Sequence, residues 1–355
     1  MESVTLDALD RRLVHALQLD GRLPFSRIAA AVGVPERTVA RRYHRLRSRL
    51  ALRVVGLVDG RRTGMLDWIV RVRCAPEAVE TLAVLLARRD DTSWIAPLVG
   101  GTELTCMIRT PPPGDDGRRP FFEQLARTAG VREVRAACVL RPVAGVGGWA
   151  GRMDALGEAE QCLLLPPRPA PADPTTSSDQ TDQTDQTEAL PVLSPADSAL
   201  LRALAQDGRA DLRQLASASG CSESTVRRRI GQLRDSGVLA FEVEIDPALF
   251  GYPIEALLWL DVPPAGLRTV AEGLAGHRQV AFAALTTGPS SVFVMVECRS
   301  VSGLHAYVTD ELAALHGITR IESAVTQRRT KRAGPLPATL AEKRAGAPSG
   351  RAAAQ

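Results

Sequence analysis

Displacing the 355-residue sequence by 187 positions lays residues 6–59 over residues 193–246 without a gap. Asp10 then meets Asp197, Ala16-Leu17 meets Ala203-Leu204, and Asp20-Gly21-Arg22 meets Asp207-Gly208-Arg209. Further along, Ala29 meets Ala216, Gly33 meets Gly220, and Thr38-Val39 meets Thr225-Val226. Arg41-Arg42 meets Arg228-Arg229, Leu46-Arg47 meets Leu233-Arg234, and Asp59 meets Asp246. The register continues more loosely through Gly64 and Gly251, Pro76 and Pro263, and Gly130-Val131 and Gly317-Ile318. Such a repeat means one two-part unit built twice, so whatever one copy folds into constrains the other.

Between the copies the chain changes character, passing through PPRPAPADP to DQTDQTDQT at 179–187. A segment so poor in apolar side chains cannot bury a core and reads as a flexible linker. The expected organisation is therefore a head at 4–60, an α/β domain at 61–143, a linker at 144–191, a second head at 192–247, a second α/β domain at 248–332, and a disordered tail at 333–355.

Each head reads as three short helices. In the second copy Ser194 can cap a helix with Pro195 at its first position and Asp197 three residues after the cap. Ala196, Leu200, Ala203 and Leu204 give that helix an apolar stripe; Leu9, Leu13, Ala16 and Leu17 do so in the first copy, behind Asp7 and Asp10. The Asp-Gly-Arg triplets at 20–22 and 207–209 break the chain. A second helix turns inward Ile28, Ala29 and Val32, or Leu212, Leu215 and Ala216, and Gly33 or Gly220 supplies the tight turn after it. The third helix buries Val39, Tyr43 and Leu46, or Val226, Ile230 and Leu233, at i, i+4, i+7. Helix, glycine turn and a third helix with a polar start form a helix-turn-helix.

The other face of the third helix points to nucleic acid. The first copy offers Arg37, Thr38, Arg41, Arg42 and Arg45; the second offers Ser222, Ser224, Thr225, Arg227, Arg228 and Arg229. N-terminal residues of a recognition helix reach base edges while flanking arginines hold phosphates, so double-stranded DNA is the expected partner. The copies differ in charge. Residues 35–49 carry six arginines against Glu36, whereas 222–236 carry four against Glu223 and Asp235. Ser222 and Gly237 are better helix boundaries than Pro35 and Leu50. The expectation is that both heads bind DNA and prefer different half-sites.

The second half of each unit reads as a ferredoxin-like βαββαβ domain, giving an α+β chain overall. In the second copy the strands fall at 256–262, 280–286, 292–298 and 318–327, with helices from 263 to 276 and from 302 to 315. The first copy follows with 68–73, 75–88, 92–98, 104–109, 121–129 and 134–140, and adds the loop TPPPGDDGRRP. The hairpin turns, Gly100, Gly101, Thr102 and Glu103 in one copy and Thr287, Gly288, Ser290 and Ser291 in the other, are the candidate effector contacts, because glycine exposes backbone N–H groups to a carboxylate.

Composition narrows the class. Net charge is +4, and of 44 basic residues only Lys331 and Lys343 are lysine. The six cysteines, Cys74, Cys106, Cys138, Cys162, Cys221 and Cys298, form no CxxC pair, which argues against a disulfide framework or structural zinc; no metal or cofactor is expected. Cys221 reads as a small core thiol, and Trp68, Trp94, Trp149 and Trp259 as packing anchors. The basic run Arg328, Arg329, Lys331, Arg332 reads as solvated or as extra DNA affinity. Without a long apolar run or an apolar start, a cytoplasmic protein away from membranes is expected.

Leu6-Asp7…Asp10, Leu17…Asp20-Gly21-Arg22, Gly33, Thr38-Val39…Arg41-Arg42 and Leu46, followed by a strand and βαββαβ, resemble the leucine-responsive/asparagine-operon (Lrp/AsnC) regulators. The resemblance covers about residues 4–143 and 192–332. It implies DNA-reading heads, dimers and higher homo-oligomers built through the α/β domains, and amino-acid effectors bound between those domains. It implies a G-x-x-D turn as well, where this chain has Glu103 in the first copy and Ser291 in the second. A tandem member looks like a fused dimer. Proteins of sirohaem decarboxylase type share the architecture, but that chemistry asks for His and Arg lining a cleft. His15, His44, His277, His305 and His316 form no repeated set, Gly231 standing opposite His44, so no enzyme is expected. A ligand-sensing module without DNA binding is the remaining alternative.

Overall fold

The computed structural model describes residues 5–49, 51–112, 121–145, 148–165, 193–327 and 329–336. The first copy runs α1 (Ala8–Leu19), α2 (Phe25–Val32), α3 (Glu36–Ser48), β1 (Leu52–Val58), β2 (Leu66–Cys74), α4 (Val79–Ala87), β3 (Thr92–Pro97), β4 (Glu103–Thr110), α5 (Phe121–Ala126) and β5 (Val131–Ala144). A further helix, α6 (Glu158–Leu164), precedes the second copy. That copy repeats the order as α7 (Pro195–Gln206), α8 (Leu212–Ser219), α9 (Glu223–Asp235), β6 (Leu239–Ile245), β7 (Ile254–Asp261), α10 (Leu267–Gly276), β8 (Val280–Thr286), β9 (Val292–Cys298), α11 (Val301–Ala306) and β10 (Arg320–Val325). Beyond α11 the helix continues as a π-helical stretch, Tyr307–Leu312. None of these helices is long and apolar enough to cross a membrane. Leu50, Arg328, most of the proline-rich loop at 113–120, residues 166–192 and the tail beyond 336 lie outside the described residues.

The chain divides into two compact units, and each draws on both copies: one holds Met1–Met65 with Gly147–Gly251, the other Leu66–Val146 with Tyr252–Gln355. In the head unit the expected caps are present. Asp7 and Asp10 close a capping box on α1, Ser194 and Asp197 close one on α7, and the Ser222 hydroxyl accepts the Thr225 N–H at the start of α9. Gly33 and Gly220 end α2 and α8 with φ of 71° and 69°, the left-handed conformation a side chain would strain. The head cores are those the periodicity picks out, Leu13, Leu17, Ile28, Val39, Tyr43 and Leu46 in one, Leu200, Leu204, Leu215, Val226, Ile230 and Leu233 in the other.

The strand after each head crosses to its counterpart: β1 and β6 pair antiparallel from Leu52 opposite Ile245 to Val58 opposite Leu239. Val58 packs on the core of the second head. A Cβ on Gly21 would stand 2.7 Å from Val54 Cγ1 and 2.8 Å from Phe241 Cβ, so the Asp-Gly-Arg turn needs its glycine for close approach to this ribbon.

The linker expectation fails in part. Residues 148–165 fold onto the first head, with Trp149, Leu156 and Leu164 buried and α6 packed on α2 and α1. The Leu156 N–H donates to His15 Nδ1 at 3.0 Å, Arg27 Nε donates to the Leu163 carbonyl at 3.2 Å, and Arg12 pairs with Glu160. Composition averaged over 144–191 hid this because the low-complexity half dominates it, while Trp149, Leu156 and Leu164 carry enough apolar surface to dock.

In the second unit the strand order is β10-β7-β9-β8-β5-β2-β4-β3. Each copy contributes four strands in the 4-1-3-2 order of a ferredoxin-like sheet, and β5 of the first copy joins β8 of the second through Val139 opposite Thr286 and Pro142 opposite Ala284. At the other end the chain beyond β10 returns along β3, with bridges Leu98–Thr326 and Ile95–Lys331 and the Trp94 N–H donating to the Arg332 carbonyl at 3.0 Å. The outer edge of β3 is thereby covered, together with the end of β10 at Val325, which removes the open strand edge a free sheet would present there. Trp94 takes φ of 52° inside the irregular stretch of β3, a strained position for a bulky residue that this pairing holds in place.

The run after β10 is accordingly not a solvated tail. Arg329 is buried and donates to Glu255 Oε2 at 2.7 Å, and buried Lys331 donates its Nζ to the Arg89 carbonyl at 2.5 Å. Burial at this closing seam, Arg329 on a carboxylate and Lys331 on a carbonyl, takes the place of the solvated or DNA-binding role read for those two residues. The tryptophans pack as read: Trp149 is buried, Trp68 meets Phe122 edge-on and donates to Thr110 Oγ1, and Trp259 meets Phe293.

Candidate nucleic-acid interface

The buried stripe of α3 leaves Arg37, Arg41 and Arg45 exposed and Thr38 and Arg42 half-buried; α9 leaves Ser222, Ser224, Arg227 and Arg228 exposed and Thr225 and Arg229 half-buried. These side chains do not share one role. Arg42 Nη1 donates to Asp10 Oδ1 at 3.0 Å and also to Asp7, while Arg45 Nη2 donates to Asp10 Oδ2 at 2.5 Å. Arg229 forks onto Asp197 at 2.7 and 2.5 Å. Asp10 and Asp197 are the buried third residues of the capping boxes, so the first helix of each head grips its recognition helix through an arginine at the same place in both copies, Arg42 or Arg229, with Arg45 added in the first. Arg42 and Arg229, adjacent in sequence to exposed Arg41 and Arg228, thus serve the fold of their own heads.

Arg47 and Arg234 are occupied too, each by the other head. Arg47 Nη2 donates to Asp207 Oδ2 at 2.6 Å and Arg234 Nη2 to Asp20 Oδ2 at 2.9 Å. The same triplets exchange arginines. Arg22 donates to the Gly208 and Ala210 carbonyls at 2.6 and 3.0 Å, and Arg209 to the Gly21 and Leu23 carbonyls at 2.7 and 3.0 Å. Arg209 also lies over Phe25 at 4.4 Å and Tyr43 at 5.3 Å. Burial pushes both guanidinium pKa values below their ordinary level, so these charges are held against a desolvation cost. Sequence reading took Asp-Gly-Arg for a chain break. Its identical recurrence was the signal that it joins the heads.

What remains facing solvent without a hydrogen bond or ion pair, among the described arginines of the two helices, is Arg37 and Arg41 on α3 and Arg227 on α9; Arg228 has a 3.4 Å contact to Gln232. The excess of charge in the first copy is largely consumed by Asp7, Asp10 and Asp207. The Ser222 hydroxyl lies 2.9 Å from both Ser224 Oγ and Thr225 Oγ1, so the first turn of α9 is a closed hydroxyl cluster.

Asp197 gives a pH prediction. Hydrogen bonds from Arg229 hold its carboxyl down at about 2, from 3.8. A depressed folded-state value means the contribution is complete above the unfolded value and lost as pH falls through the folded one. Head stability should drop by about 2 kcal/mol between pH 4 and pH 2 in urea titrations, and Asp197→Asn should flatten that drop.

The two hairpin turns of the α/β unit are unlike. Gly100 and Thr102 are exposed, and Gly101 donates its N–H to the Leu98 carbonyl. Glu103 accepts from Arg71 at 2.6 Å and from Arg73 at 2.9 Å. With Arg135 and Glu322 these line a cleft of about 110 Å³. Arg71 also donates to Glu322 at 2.5 Å and lies over Trp259 at 4.5 Å. In the second copy the Ser291 hydroxyl bonds both the N–H and the carbonyl of Val262, Ser290 offers its carbonyl to Thr286, and Thr287 binds Cys138. Gly288, at φ of 97°, makes the turn. The polar groups of that turn are spent on strand pairing. The arginine cleft was not read from sequence, since Arg71, Arg73 and Arg135 look like ordinary outward strand residues until the sheet orders them.

Two helix-turn-helix heads in one unit and a doubled ferredoxin-like sheet in the other are the architecture to set beside known proteins. The family description "AsnC-type helix-turn-helix domain" matches residues 6–47 and 193–234, and "Lrp/AsnC ligand binding domain" matches 255–336. A helix-turn-helix-type transcriptional regulator of Pyrococcus abyssi is 33% identical over 134 residues, 38% of this chain and 85% of that protein. The regulator LrpA of Pyrococcus horikoshii is 24% identical over 141 residues, 39% of this chain and all of that protein. The siroheme decarboxylase NirDL aligns structurally over 96% of this chain and 97% of its own, with a TM-score of 0.57 at 14% identity, a likeness of fold. The chain belongs to the Lrp/AsnC family of helix-turn-helix regulators, as a member with the head duplicated in tandem.

Proposed function

We propose that the protein is a sequence-specific, double-stranded-DNA-binding transcriptional regulator of the cytoplasm, acting as an intramolecular pseudo-dimer. The observation that carries this reading is the reciprocal exchange of Arg22 and Arg209, which joins the two heads while Arg37, Arg41, Arg227 and Arg228 stay exposed on α3 and α9. Base edges and phosphates are what free guanidiniums on such helices recognise. Thr38, Thr225, Ser222 and Ser224 supply hydroxyls at the helix starts. Modulation comes from a small carboxylate-bearing, amino-acid-like effector at the cleft beside Gly100–Glu103, where it would compete with Glu103, Glu322 and Glu133 for Arg71, Arg73 and Arg135. Chains associate further through the α/β unit, and effector binding shifts that assembly and with it promoter occupancy.

The rival is tetrapyrrole chemistry, which the decarboxylase-like fold favours. Against it, His15 is buried in the first head as an acceptor for Leu156, and His277 pairs with Tyr307. The test is capture of genomic fragments by the full chain, followed by salt-titrated binding of the recovered DNA by wild type, Arg41→Ala and Arg228→Ala. Specific fragments, a steep loss of affinity with salt and about tenfold weakening in both variants are expected. Weakening in one variant alone would make the other head structural. No specific fragment, together with a Soret band on adding sirohaem, would overturn the regulator reading.

A further inference from the structure

The two recognition helices expose two arginines each outside ion pairs, in unequal places. Those of α3 have no partner among the described residues, and Arg228 of α9 has a 3.4 Å contact with Gln232. On α3, Arg37 and Arg41 stand four residues apart, one turn along the same face. On α9, Ser224 replaces Arg37 and is held by the Ser222 hydroxyl, while Arg227 and Arg228 are sequence neighbours about 100° apart around the axis. Two guanidiniums in line along one face can both enter a major groove and fork onto base edges. Two that diverge by 100° cannot: when Arg228 faces the groove floor, Arg227 faces its wall, where the phosphates run. The heads cannot exchange these roles, because the chain joins them covalently and Asp20–Arg234 and Asp207–Arg47 tie each recognition helix to the opposite turn.

We infer that the operator is intrinsically asymmetric: the half-site under α3 presents two guanines to Arg37 and Arg41, and the half-site under α9 presents one to Arg228, with Arg227 on phosphate. Arginine forking onto guanine O6 and N7 is the pairing this chemistry makes. The inference rests on the DNA-binding reading above and adds which residues make the two halves unlike. In a dimer of identical chains such a difference is impossible, since both recognition helices have one sequence.

The experiment is selection of duplexes from a random pool by the full chain, repeated with Arg37→Ser, with Ser224→Arg and with both together. Wild type should enrich a site whose halves differ by a guanine. Arg37→Ser should erase the preference for that guanine in one half only and weaken the wild-type site about tenfold. Ser224→Arg should create a guanine preference in the other half, and the double variant should exchange the halves. Arg37 and Ser224 are both exposed, so these substitutions leave the head cores intact. A palindromic consensus, or an unchanged base preference in Arg37→Ser, would overturn the asymmetry while leaving DNA binding standing. No enrichment by wild type would overturn both readings together.

Discussion

Arg209→Ala should lower the stability of the head unit by about 4–7 kcal/mol, read as a shift of the guanidinium-chloride midpoint of the full chain. The guanidinium makes two charge-assisted bonds to the Gly21 and Leu23 carbonyls and covers the rings of Phe25 and Tyr43. Bonds of that kind contribute about 1.5–3 kcal/mol each, and the ring contact adds about 1 kcal/mol. Arg209→Lys should recover less than half, because an ammonium cannot fork onto two carbonyls. Arg22→Ala should cost less than Arg209→Ala, since Arg22 makes the same pair of bonds but has a single ring contact, Phe241 at 5.9 Å. Equal stability of Arg209→Ala and wild type would show that the Arg209 bonds contribute nothing to joining the heads. DNA affinity should fall alongside stability, because a binding site made by two helices depends on their being held together.

Trp149→Ala should cost about 3–5 kcal/mol, the range for emptying a buried large aromatic site. Trp149 is 2% exposed and lies in a segment whose composition suggests no fold at all. Its loss should release the run 148–165 from the first head. A second readout is then available in His15. Burial holds its pKa below the ordinary value and its Nδ1 accepts from Leu156, so the proton of the neutral ring sits on Nε2. Releasing the segment should bring the His15 pKa back toward 6.5 by NMR titration, a change that general destabilisation without release would not produce. Wild-type stability in Trp149→Ala, with His15 unmoved, would show that the segment contributes nothing to the head.

The heads were legible because their signals are local. Asp7, Ser194 and Ser222 cap within three residues, Gly33 and Gly220 turn within one, and Val39-Tyr43-Leu46 repeats at the helical period. The β-halves were legible to within a few residues for the same reason, although the helix read as 302–315 changes to π geometry at Tyr307. The site was legible only as a set of candidates. Arg41 and Arg42 are adjacent and alike in sequence, yet a rotation of about 100° sends one to solvent and the other onto Asp10, 32 residues away.

What the sequence determined by itself is the duplicated architecture, the three-helix heads, the glycine turns and the class of partner, because periodicity, capping and repeat are properties of neighbours along the chain. What only the tertiary structure decided is which charges are spent. The choice between Arg37 and Arg42, between Glu103 in an arginine cleft and Ser291 in a strand clamp, and between a loose linker and a docked one depends on groups brought together from distant positions. A guanidinium bonds whatever acceptor the fold sets beside it, and no local pattern encodes that.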